Sequence, residues 1–347
     1  MDSLSLRQPD DWHLHLRDGA GLQAVLPHTA AQFARAIVMP NLRPPVTTTA
    51  LAAAYRQRIL DALPRGSRFE PLMTLYLTDL TAPTEIATAK ASGIVQGCKL
   101  YPAGATTHSD AGVTDIRRID AVLAAMSEAG MPLLVHGEVT HKDVDVFDRE
   151  ARFIDTVLVP LRARLPRLRI VFEHVTTQAA VEFVRSQAQG VAATITPQHL
   201  ALNRNALFQG GIRPHLYCLP VLKRERDRVA LIDAVAGGDP HFFLGTDSAP
   251  HARNTKESAC GCAGIYSAHA ALELYAEVFE QAGALHRLEA FASEFGPRFY
   301  GLPLNTGTVT LRRQPWTVPA AYPFVDDTLV PLRAGETLSW RLAPAST

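Results

Sequence analysis

The sequence lacks the features that mark membrane, secreted and nucleic-acid-binding proteins. Its 34 Lys and Arg residues balance its 34 Asp and Glu residues, so there is no net basic charge to attract a polyanion. No apolar run approaches the roughly 20 residues that span a bilayer. The N-terminus, MDSLSLRQPDDWH, has no apolar core or cleavage-site pattern of a secretion signal. We therefore expect no nucleic-acid partner and no membrane partner.

Cysteine is also scarce. The 347 residues include four cysteines, Cys98, Cys218, Cys260 and Cys262, which are too few for a disulfide framework. A reducing compartment, the cytoplasm, is therefore expected. The single CGC at 260–262 lacks a second cysteine pair, so a loop with two unreactive thiols is favoured over a metal clip. No G-x-G-x-x-G follows a first strand, which disfavours an open Rossmann-like sheet, the structural alternative.

What the sequence does contain is a regular alternation of short apolar runs with longer helical segments. Apolar residues make up 47% of the chain and charged residues 20%, enough for a sizeable core. Alternating strands and helices indicate βαβ units with parallel pairing, and eight such units predict an α/β fold, a closed (β/α)₈ TIM barrel. The predicted strands lie in the runs 12–16, 34–41, 71–78, 97–102, 131–138, 169–175, 190–198 and 241–248. The clearest predicted helices cover 49–63, 115–130 and 177–187.

Two stretches depart from this alternation. Residues 199–240 are too many for one simple crossover and are expected to carry extra loop structure. The tail 303–347, rich in Pro, Thr and Val, falls outside the eight units and either wraps the barrel or adds short strands. We predict a single domain over 1–347, with the tail as an extension that packs on the barrel.

Polar side chains stand at the ends of most predicted strands, where the site of a parallel α/β fold lies. His13 and His15 are two residues apart, so on an extended strand both would point to one face, and Arg17 continues the series. Histidine and aspartate side chains suit Zn²⁺ and related divalent ions. The other strand ends deliver Asn41, Lys99, Tyr101, His136, His174, Asp247 and, shortly after it, His251. These positions predict a metal site at the barrel mouth.

Each of these residues also has an ordinary structural interpretation. A His-x-His pair alone is more often structural or exposed than a metal ligand, and His136 or His174 would fit a hydrogen-bonded core position. Asp247 would fit a helix N-cap. Lys99 resists such an explanation, because a lysine in a short apolar strand is costly unless it is paired or modified. One metal site accounts for all of these positions together.

The remaining polar residues near these runs receive structural assignments. Asp10 and Asp11 precede the first predicted strand and are expected to be structural or to support the metal ligands. The other histidines, interpreted as surface or structural, are His28, His108, His141, His199, His215, His241, His269 and His286.

The strand-end pattern resembles the amidohydrolase superfamily, and longer segments resemble its dihydroorotases of the shorter bacterial type. The tail segment DDTLVPLRAGETLSW fits as well, so the resemblance covers nearly the whole chain. Any one motif is only moderately specific, but together and in this order they are highly specific. The segments that carry the resemblance are PDDWHLHLRDG, IVMPNLRPPVTT, KLYPAGATTHSDAGV, PLLVHGEV, FEHVTT, TPQHL, RPHLYCLPVLK and LGTDSAPHARNTKE.

The resemblance implies a binuclear zinc centre. His13 and His15 match ligands of the first ion, and His136 and His174 match ligands of the second. Lys99 matches a lysine carboxylated by CO₂ that bridges both ions, and Asp247 a further ligand of the first ion that also handles the proton. A carbamate removes the ammonium charge and offers two oxygens to ions about 3.5–4 Å apart, so this assignment is chemically consistent.

The resemblance also implies a reaction and a substrate. The family cyclises N-carbamoyl-L-aspartate reversibly to L-dihydroorotate and water, the third step of pyrimidine biosynthesis, and is usually homodimeric. Arg17 would bind the substrate carboxylate with its planar fork. The loop 103–113 would act as a lid whose Thr hydroxyls reach the substrate, rather than as an ordinary connection. The positions that match substrate contacts are His15, Leu16, Arg17, Asn41, Thr106, Thr107, Leu219, His251 and Ala263.

Two other functions remain open at this point. Another amidohydrolase, such as a hydantoinase or a phosphotriesterase, would share the metal ligands. The segments LHLRD and SAPHARNTKE favour a substrate with an α-carboxylate, which argues against both of these enzymes. A non-catalytic barrel homologue that serves as an assembly scaffold would be indicated by a missing ligand, and every matched ligand is present.

Overall fold

The computed structural model describes residues 2–344. Its strands are β1 (Ser3–Arg7), β2 (Asp10–Leu14), β3 (Arg35–Val38), β4 (Glu70–Tyr76), β5 (Val95–Leu100), β6 (Leu133–Val135), β7 (Ile170–Phe172), β8 (Val191–Ile195), β9 (Phe242–Leu244), β10 (Thr308–Thr317), β11 (Tyr322–Phe324), β12 (Asp327–Leu329) and β13 (Thr337–Leu342). Its α-helices are α1 (Gly19–Gln32), α2 (Thr49–Asp61), α3 (Pro83–Ser92), α4 (Asp120–Ala129), α5 (Arg149–Phe153), α6 (Val159–Arg164), α7 (Gln178–Ser186), α8 (Pro197–Ala201), α9 (Glu225–Ala236), α10 (Arg253–Lys256), α11 (Ala271–Gln281) and α12 (Phe295–Tyr300). Shorter 3₁₀ segments cover Ile116–Ile119, Arg204–Phe208, Pro214–Leu216 and Leu285–Arg287, and π-helical segments cover Ile154–Leu158 and Ala290–Glu294.

Strands β2 to β9 form one eight-stranded parallel sheet in sequence order. The first and last strands meet at their carboxyl ends, where Leu14 bridges Ser248. Two backbone hydrogen bonds hold this seam, from Asp247 N to His13 O at 2.8 Å and from His15 N to Ser248 O at 3.0 Å. The predicted (β/α)₈ barrel is therefore confirmed, with one strand in each of the eight predicted runs.

The barrel interior is a packed core rather than a pore. Alternate residues of the strands point inward, as the period of two in an extended chain requires. Trp12 lies at its centre and stacks on Tyr300 of α12, with ring centroids 4.5 Å apart and an interplanar angle of 9°. The other buried members of this cluster are Ile37, Met39, Leu72, Leu134, Val171, Ala192, Phe243 and Phe295. Helix α12 thus fills one end of the barrel, and the polar site occupies the other.

The chain outside the barrel forms a second, antiparallel sheet of order β1-β10-β13. Strand β1 pairs with β10, so the N-terminal strand of the described chain joins a sheet built from its C-terminal segment. This sheet packs against α11 through Trp340, whose indole Nε1 donates to Glu280 at 3.1 Å. The tail was predicted either to wrap the barrel or to add short strands, and residues 308–342 supply four strands. Residues 345–347 of the predicted tail lie outside the described residues.

Several predicted boundaries were wrong. The first barrel strand covers residues 10–14 rather than 12–16, so Asp10 and Asp11 belong to it instead of preceding it. The predicted helix 115–130 begins as a 3₁₀ turn at Ile116, and only Asp120–Ala129 is α-helical. The stretch 199–240 carries two 3₁₀ segments before α9, which confirms the extra structure expected there. Across residues 2–344, no helix combines the length and apolar character that crossing a membrane requires.

Candidate metal centre and active site

The carboxyl ends of the barrel strands surround a cavity of about 340 Å³. All but three of the predicted site residues line it, and the exceptions are Lys99, Leu16 and His251. Lys99 is fully buried on β5, Leu16 packs in the apolar core, and His251 contacts Arg17. The lining residues are His13, His15, Arg17, Asn41, Tyr101, Thr106, Thr107, His136, His174, Leu219, Asp247, Ala249, Ala263 and Gly264.

The predicted ligands of the first ion converge on one carboxylate. Asp247 Oδ1 lies 3.3 Å from His13 Nε2 and 3.1 Å from His15 Nε2. One candidate ligand atom from each of the three residues lies within 4.8 Å of the others. Burial alone would raise the pKa of Asp247, but the surrounding imidazoles, His13 foremost, hold the pKa of this carboxyl well below its ordinary value. Such a cluster offers two neutral nitrogens and a carboxylate oxygen to a divalent cation.

The four predicted histidine ligands form a continuous chain of rings. The ring centroids of His13 and His15 are 5.5 Å apart, those of His13 and His174 are 4.9 Å apart, and those of His174 and His136 are 4.8 Å apart. His174 therefore lies between the first cluster and His136. The four rings thus line one cavity, and the expectation that it holds two ions stays a prediction.

Carboxylates and an amide behind the histidines fix their tautomers. A carboxylate only accepts hydrogen bonds, so His13 Nδ1 donates to Glu173 at 2.8 Å and leaves Nε2 free to ligate. His136 Nε2 donates to Glu138 at 2.9 Å, which leaves its Nδ1 as the ligating atom. His15 Nδ1 lies 2.8 Å from the Asn41 side-chain oxygen and donates to it. The ligands are thus oriented before any ion binds.

Asp11 fastens the two strand ends that carry these ligands. Its carboxylate accepts hydrogen bonds from His13 N at 3.1 Å, from Thr246 N at 2.9 Å and from the Thr246 hydroxyl at 2.6 Å. Complete burial raises the pKa of Asp11 to about 7, against the lowering effect of these hydrogen bonds. The expected supporting role of Asp11 agrees with these contacts, which tie β2 to the segment after β9.

Lys99 is fully buried, and its Nζ has no hydrogen-bond partner anywhere in residues 2–344. The amine lies 5.1 Å from the centre of the Tyr101 ring. Burial lowers the pKa of Lys99 to about 8, although Glu173 and Asp247 oppose the shift. His174 Nδ1 is likewise buried without a partner in the described chain. Unpaired buried nitrogens are costly, so these two atoms indicate that a group held here would complete the site.

Three site residues adopt left-handed backbone conformations: Arg17 with φ 61°, His174 with φ 41° and Asp247 with φ 46°. Such strain in residues other than glycine collects at functional sites, where the surrounding structure must enforce it. For Arg17 the enforcement is visible, because its carbonyl accepts from the Tyr55 hydroxyl at 2.5 Å. Its left-handed backbone also means that Arg17 does not continue the strand period, so that part of the prediction was wrong.

The Arg17 guanidinium is held from one side and open on the other. Its Nε donates to Pro250 O at 2.9 Å, and its Nη2 donates to His251 Nε2 at 2.9 Å. Burial, together with the positive charge of Arg17, holds the pKa of His251 well below its ordinary value. A neutral His251 accepts from Arg17 and leaves the other N–H groups of the fork available for an anion.

The loop 103–113 reaches across the cavity. Asn41 Nδ2 donates to Thr107 O at 3.2 Å, and the Thr107 hydroxyl donates to Ala263 O at 3.3 Å. His108, assigned from the sequence as surface or structural, lies with Nδ1 3.3 Å from Asn41 O, so it forms part of this contact. The loop therefore rests on two of the predicted substrate-binding residues, Asn41 and Ala263.

This geometry agrees with relationships to known proteins. The sequence model of the Amidohydrolase family matches residues 11–328. A dihydroorotase from Cupriavidus necator is 68% identical over 338 residues, which cover 97% of this chain and 98% of that protein. The chain belongs to the dihydroorotase family. Within this family, the crystal structure of the Campylobacter jejuni dihydroorotase is 37% identical with a TM-score of 0.90, covering 99% of this chain and 98% of that one. The Saccharomyces cerevisiae dihydroorotase, solved with 5-fluoroorotic acid, is 32% identical with a TM-score of 0.91 and complete coverage of both chains.

The sequence did not predict a role for several residues that the structure places at this dihydroorotase-family site. Tyr101, noted at a strand end but assigned no role, lines the cavity, as do Ala249 and Gly264. Glu138 and Glu173, the hydrogen-bond partners of two histidines, received no role either. A signal was present for Glu138, which follows its partner His136 by two residues, but none for Glu173, whose partner is the distant His13.

Proposed function

We propose that the chain catalyses the reversible cyclisation of N-carbamoyl-L-aspartate to L-dihydroorotate and water, the third step of pyrimidine biosynthesis. The observation that carries this proposal is one cavity holding both halves of such a site. On one side, the imidazoles and Asp247 could hold a cation. On the other, the Arg17 guanidinium has N–H groups that could bind a carboxylate. A hydrolase of cyclic amides needs both.

The residues present fit the two zinc ions that the family resemblance implies. His13, His15 and Asp247 would hold the first ion, and His136 and His174 the second. Carboxylation of the unpaired Lys99 amine by CO₂ would supply the bridge between them, and its lowered pKa favours the neutral amine that such a reaction needs. When bound, the ions would acidify water, polarise the reacting carbonyl and stabilise the developing oxyanion.

Asp247 is proposed to carry the proton. In ring closure the carbamoyl nitrogen attacks the carbon of the side-chain carboxylate, the new C–N bond forms and a C–O bond breaks, and the departing oxygen takes one proton from the nitrogen and a second from solvent to leave as water. Asp247 takes the proton from the nitrogen and gives it to the departing oxygen. In ring opening it takes the proton from the attacking water and gives it to the ring nitrogen, by microscopic reversibility.

The remaining residues are proposed to bind and enclose the substrate. Arg17, His251 and Asn41 would hold the carboxylate that stays beside the reacting ring. The backbones of Leu219 and Ala263 would meet the ring edge, as would the backbone of His15 and Leu16, although the Leu16 side chain packs in the core. Thr106 and Thr107 would add hydroxyls from the lid and exclude water. The family resemblance also supports a single-domain homodimer that works in the cytoplasm.

Substrate preference and metal content test this function together. The purified chain, assayed with dihydroorotate, N-carbamoyl-L-aspartate and hydantoin, is expected to turn over the first two with clear preference. Elemental analysis is expected to find two zinc equivalents per chain. Preference for hydantoin would indicate another amidohydrolase activity. Metal-loaded protein that turns over none of these substrates would favour the non-catalytic scaffold.

A glycine beside His251 gives a further prediction. Gly264 has φ 149°, and a Cβ there would lie 2.8 Å from His251 Cδ2 and 2.8 Å from Ala249 Cβ. Gly264→Ala is therefore expected to displace His251 and lower kcat/KM about tenfold to a hundredfold, since small misplacements at a site are costly. Steady-state kinetics measure the effect. Gly301→Ala, which also starts from a positive φ but meets no atom within 4 Å, is the control. An equal loss in both variants would contradict this explanation.

A further inference from the structure

Lys256 is a buried lysine outside the metal centre that holds three backbone carbonyls at once. It ends the short helix α10 and is 3% exposed. Its Nζ donates to Tyr217 O at 2.7 Å, to Cys262 O at 2.8 Å and to Gly264 O at 2.6 Å. The three N–H bonds of an ammonium are thereby all used.

These carbonyls belong to two separate segments of one cavity wall. Cys262 and Gly264 flank Ala263, and Tyr217 stands two residues before Leu219. Both Leu219 and Ala263 line the cavity. Gly264 N also donates to Tyr217 O at 3.0 Å, so the two segments meet directly as well as through the lysine. Lys256 therefore joins the two backbones that face the cavity from this side.

A second contact fixes the far side of Leu219. His199 Nε2 donates to Pro220 O at 3.0 Å, and its Nδ1 pairs with the Thr196 hydroxyl at 2.7 Å. Leu219 thus lies between a carbonyl held by Lys256 and a carbonyl held by His199. On the Ala263 side, its own carbonyl accepts the Thr107 hydroxyl of the lid at 3.3 Å. The wall is therefore fixed on both sides of Leu219 and at Ala263.

The charge of Lys256 is balanced by the three carbonyl dipoles and by the ring of Tyr217, whose centre lies 5.8 Å from Nζ. Among the described residues, no carboxylate forms an ion pair with it. Burial lowers the pKa of Lys256 to about 8, because removing an ammonium from water disfavours its charged form. An apolar side chain here would leave three backbone carbonyls without this donor, so the ammonium serves the wall segments that it joins.

We infer that Lys256 is a positioning residue for substrate binding: by gathering the carbonyls of Tyr217, Cys262 and Gly264, it sets the backbones of Leu219 and Ala263 where they receive the substrate ring. This inference rests on the proposed function and deepens it. The residue acts through the backbone and touches neither the metal ligands nor the transferred proton. Its loss weakens ground-state and transition-state binding alike, which raises KM more than it changes kcat.

The test compares Lys256→Met with the wild type in the hydrolysis of dihydroorotate. We expect KM to rise about tenfold or more, because hydrogen bonds to a charged group are lost from the wall that binds the ring. We expect kcat to change less than about threefold by the same uniform-binding argument, with zinc content unchanged. A merely structural lysine would lower the melting temperature without this separation of KM from kcat.

Lys223→Met is the matched control. Lys223 is also 3% exposed and donates to a backbone carbonyl, Val221 O at 3.0 Å, but it does not line the cavity. Val221 stands two residues from Leu219, and Lys223 holds one carbonyl against the three held by Lys256, so the KM of Lys223→Met is expected to rise less than that of Lys256→Met. If Lys256→Met does not fold, Lys256→Gln, which keeps two N–H donors on a shorter stem, replaces it and must still raise KM.

The outcomes separate the two proposals. A folded Lys256 variant with wild-type KM, or one whose KM rise is matched by Lys223→Met, overturns the positioning role and leaves the proposed function intact. Loss of zinc in Lys256→Met likewise overturns it, because the effect would then pass through the metal centre. A wild-type chain that turns over neither dihydroorotate nor N-carbamoyl-L-aspartate overturns the proposed function and the positioning role with it.

Discussion

Lys99→Ala is expected to lose bound metal and enzymatic activity together, with kcat falling about 10³-fold or more. That loss corresponds to several kcal/mol of transition-state stabilisation, the contribution expected of metal ions that polarise a carbonyl and activate water. The reason lies in the fully buried amine, which has no hydrogen-bond partner in residues 2–344. As a carbamate it would bridge two ions, and alanine leaves them without that bridge. Elemental analysis and steady-state kinetics on the same preparation measure both effects.

Two comparisons make the Lys99 prediction specific. A short carboxylic acid such as acetate or propionate, added to Lys99→Ala with zinc, is expected to restore part of the activity, because it returns a bridging carboxylate to the vacated space. Lys90→Ala, at an exposed position on α3, is expected to keep wild-type metal content and activity. Full activity in Lys99→Ala would refute the bridging role, whatever the metal content.

The barrel was predictable because its signal is local and repeated. Each barrel strand is buried on both faces by the interior cluster and the helices, so each reads as an apolar run in the sequence. Strand β1 carries no such signal. Only one of its five residues is buried, and its pairing partner Thr308–Arg312 lies about three hundred residues later in the chain. Only the folded chain brings these two segments together, so the sequence alone did not indicate the antiparallel sheet.

The metal site was predictable in composition but not in its local geometry. The sequence placed His13, His15 and Arg17 on one strand face, whereas β2 ends at Leu14 and Arg17 is left-handed. The residues still meet at the cavity, because the seam between β2 and the segment after β9 carries His15 to Asp247. The alternation of side-chain directions holds only within a strand. Here His15 and Arg17 lie beyond the end of β2, so the alternation does not apply to them.

The supporting structure was the least predictable part. Glu173 orients the imidazole of His13, a partner that the sequence cannot reveal without the strand register. Lys256 recognises three backbone carbonyls, which every residue possesses, so no side-chain pattern marks its partners. The contact of His108 in the loop 103–113 was unpredictable for the same reason, because its acceptor is the backbone carbonyl of Asn41. Sequence motifs identify groups that do chemistry, whereas the groups that hold them require coordinates.

Asp247→Asn is expected to lower kcat about 10²- to 10⁴-fold in both directions of the reaction, the range for loss of a general acid–base group. Asparagine has nearly the same shape, and like aspartate it tolerates the left-handed backbone found here at φ 46°. The substitution therefore removes the proton carrier without the backbone strain that alanine would add. Because the amide is also a weaker ligand, the assays use zinc in excess over the chain.

Comparing the loss of kcat in Asp247→Asn with its zinc content distinguishes a proton-transfer role of Asp247 from a role as metal ligand only. If proton transfer is its main role, the zinc-saturated variant retains most of its metal and still loses kcat in both directions, since one group serves ring closure and ring opening. If Asp247 only held the first ion, excess zinc would restore most of the activity. Asp326→Asn, which changes an exposed aspartate far along the chain, controls for the charge alone and is expected to match the wild type. Recovery of wild-type kcat in zinc-saturated Asp247→Asn would show that this residue does not transfer the proton. The cavity would then have no assigned general base, because Glu138 and Glu173 already accept hydrogen bonds from His136 and His13.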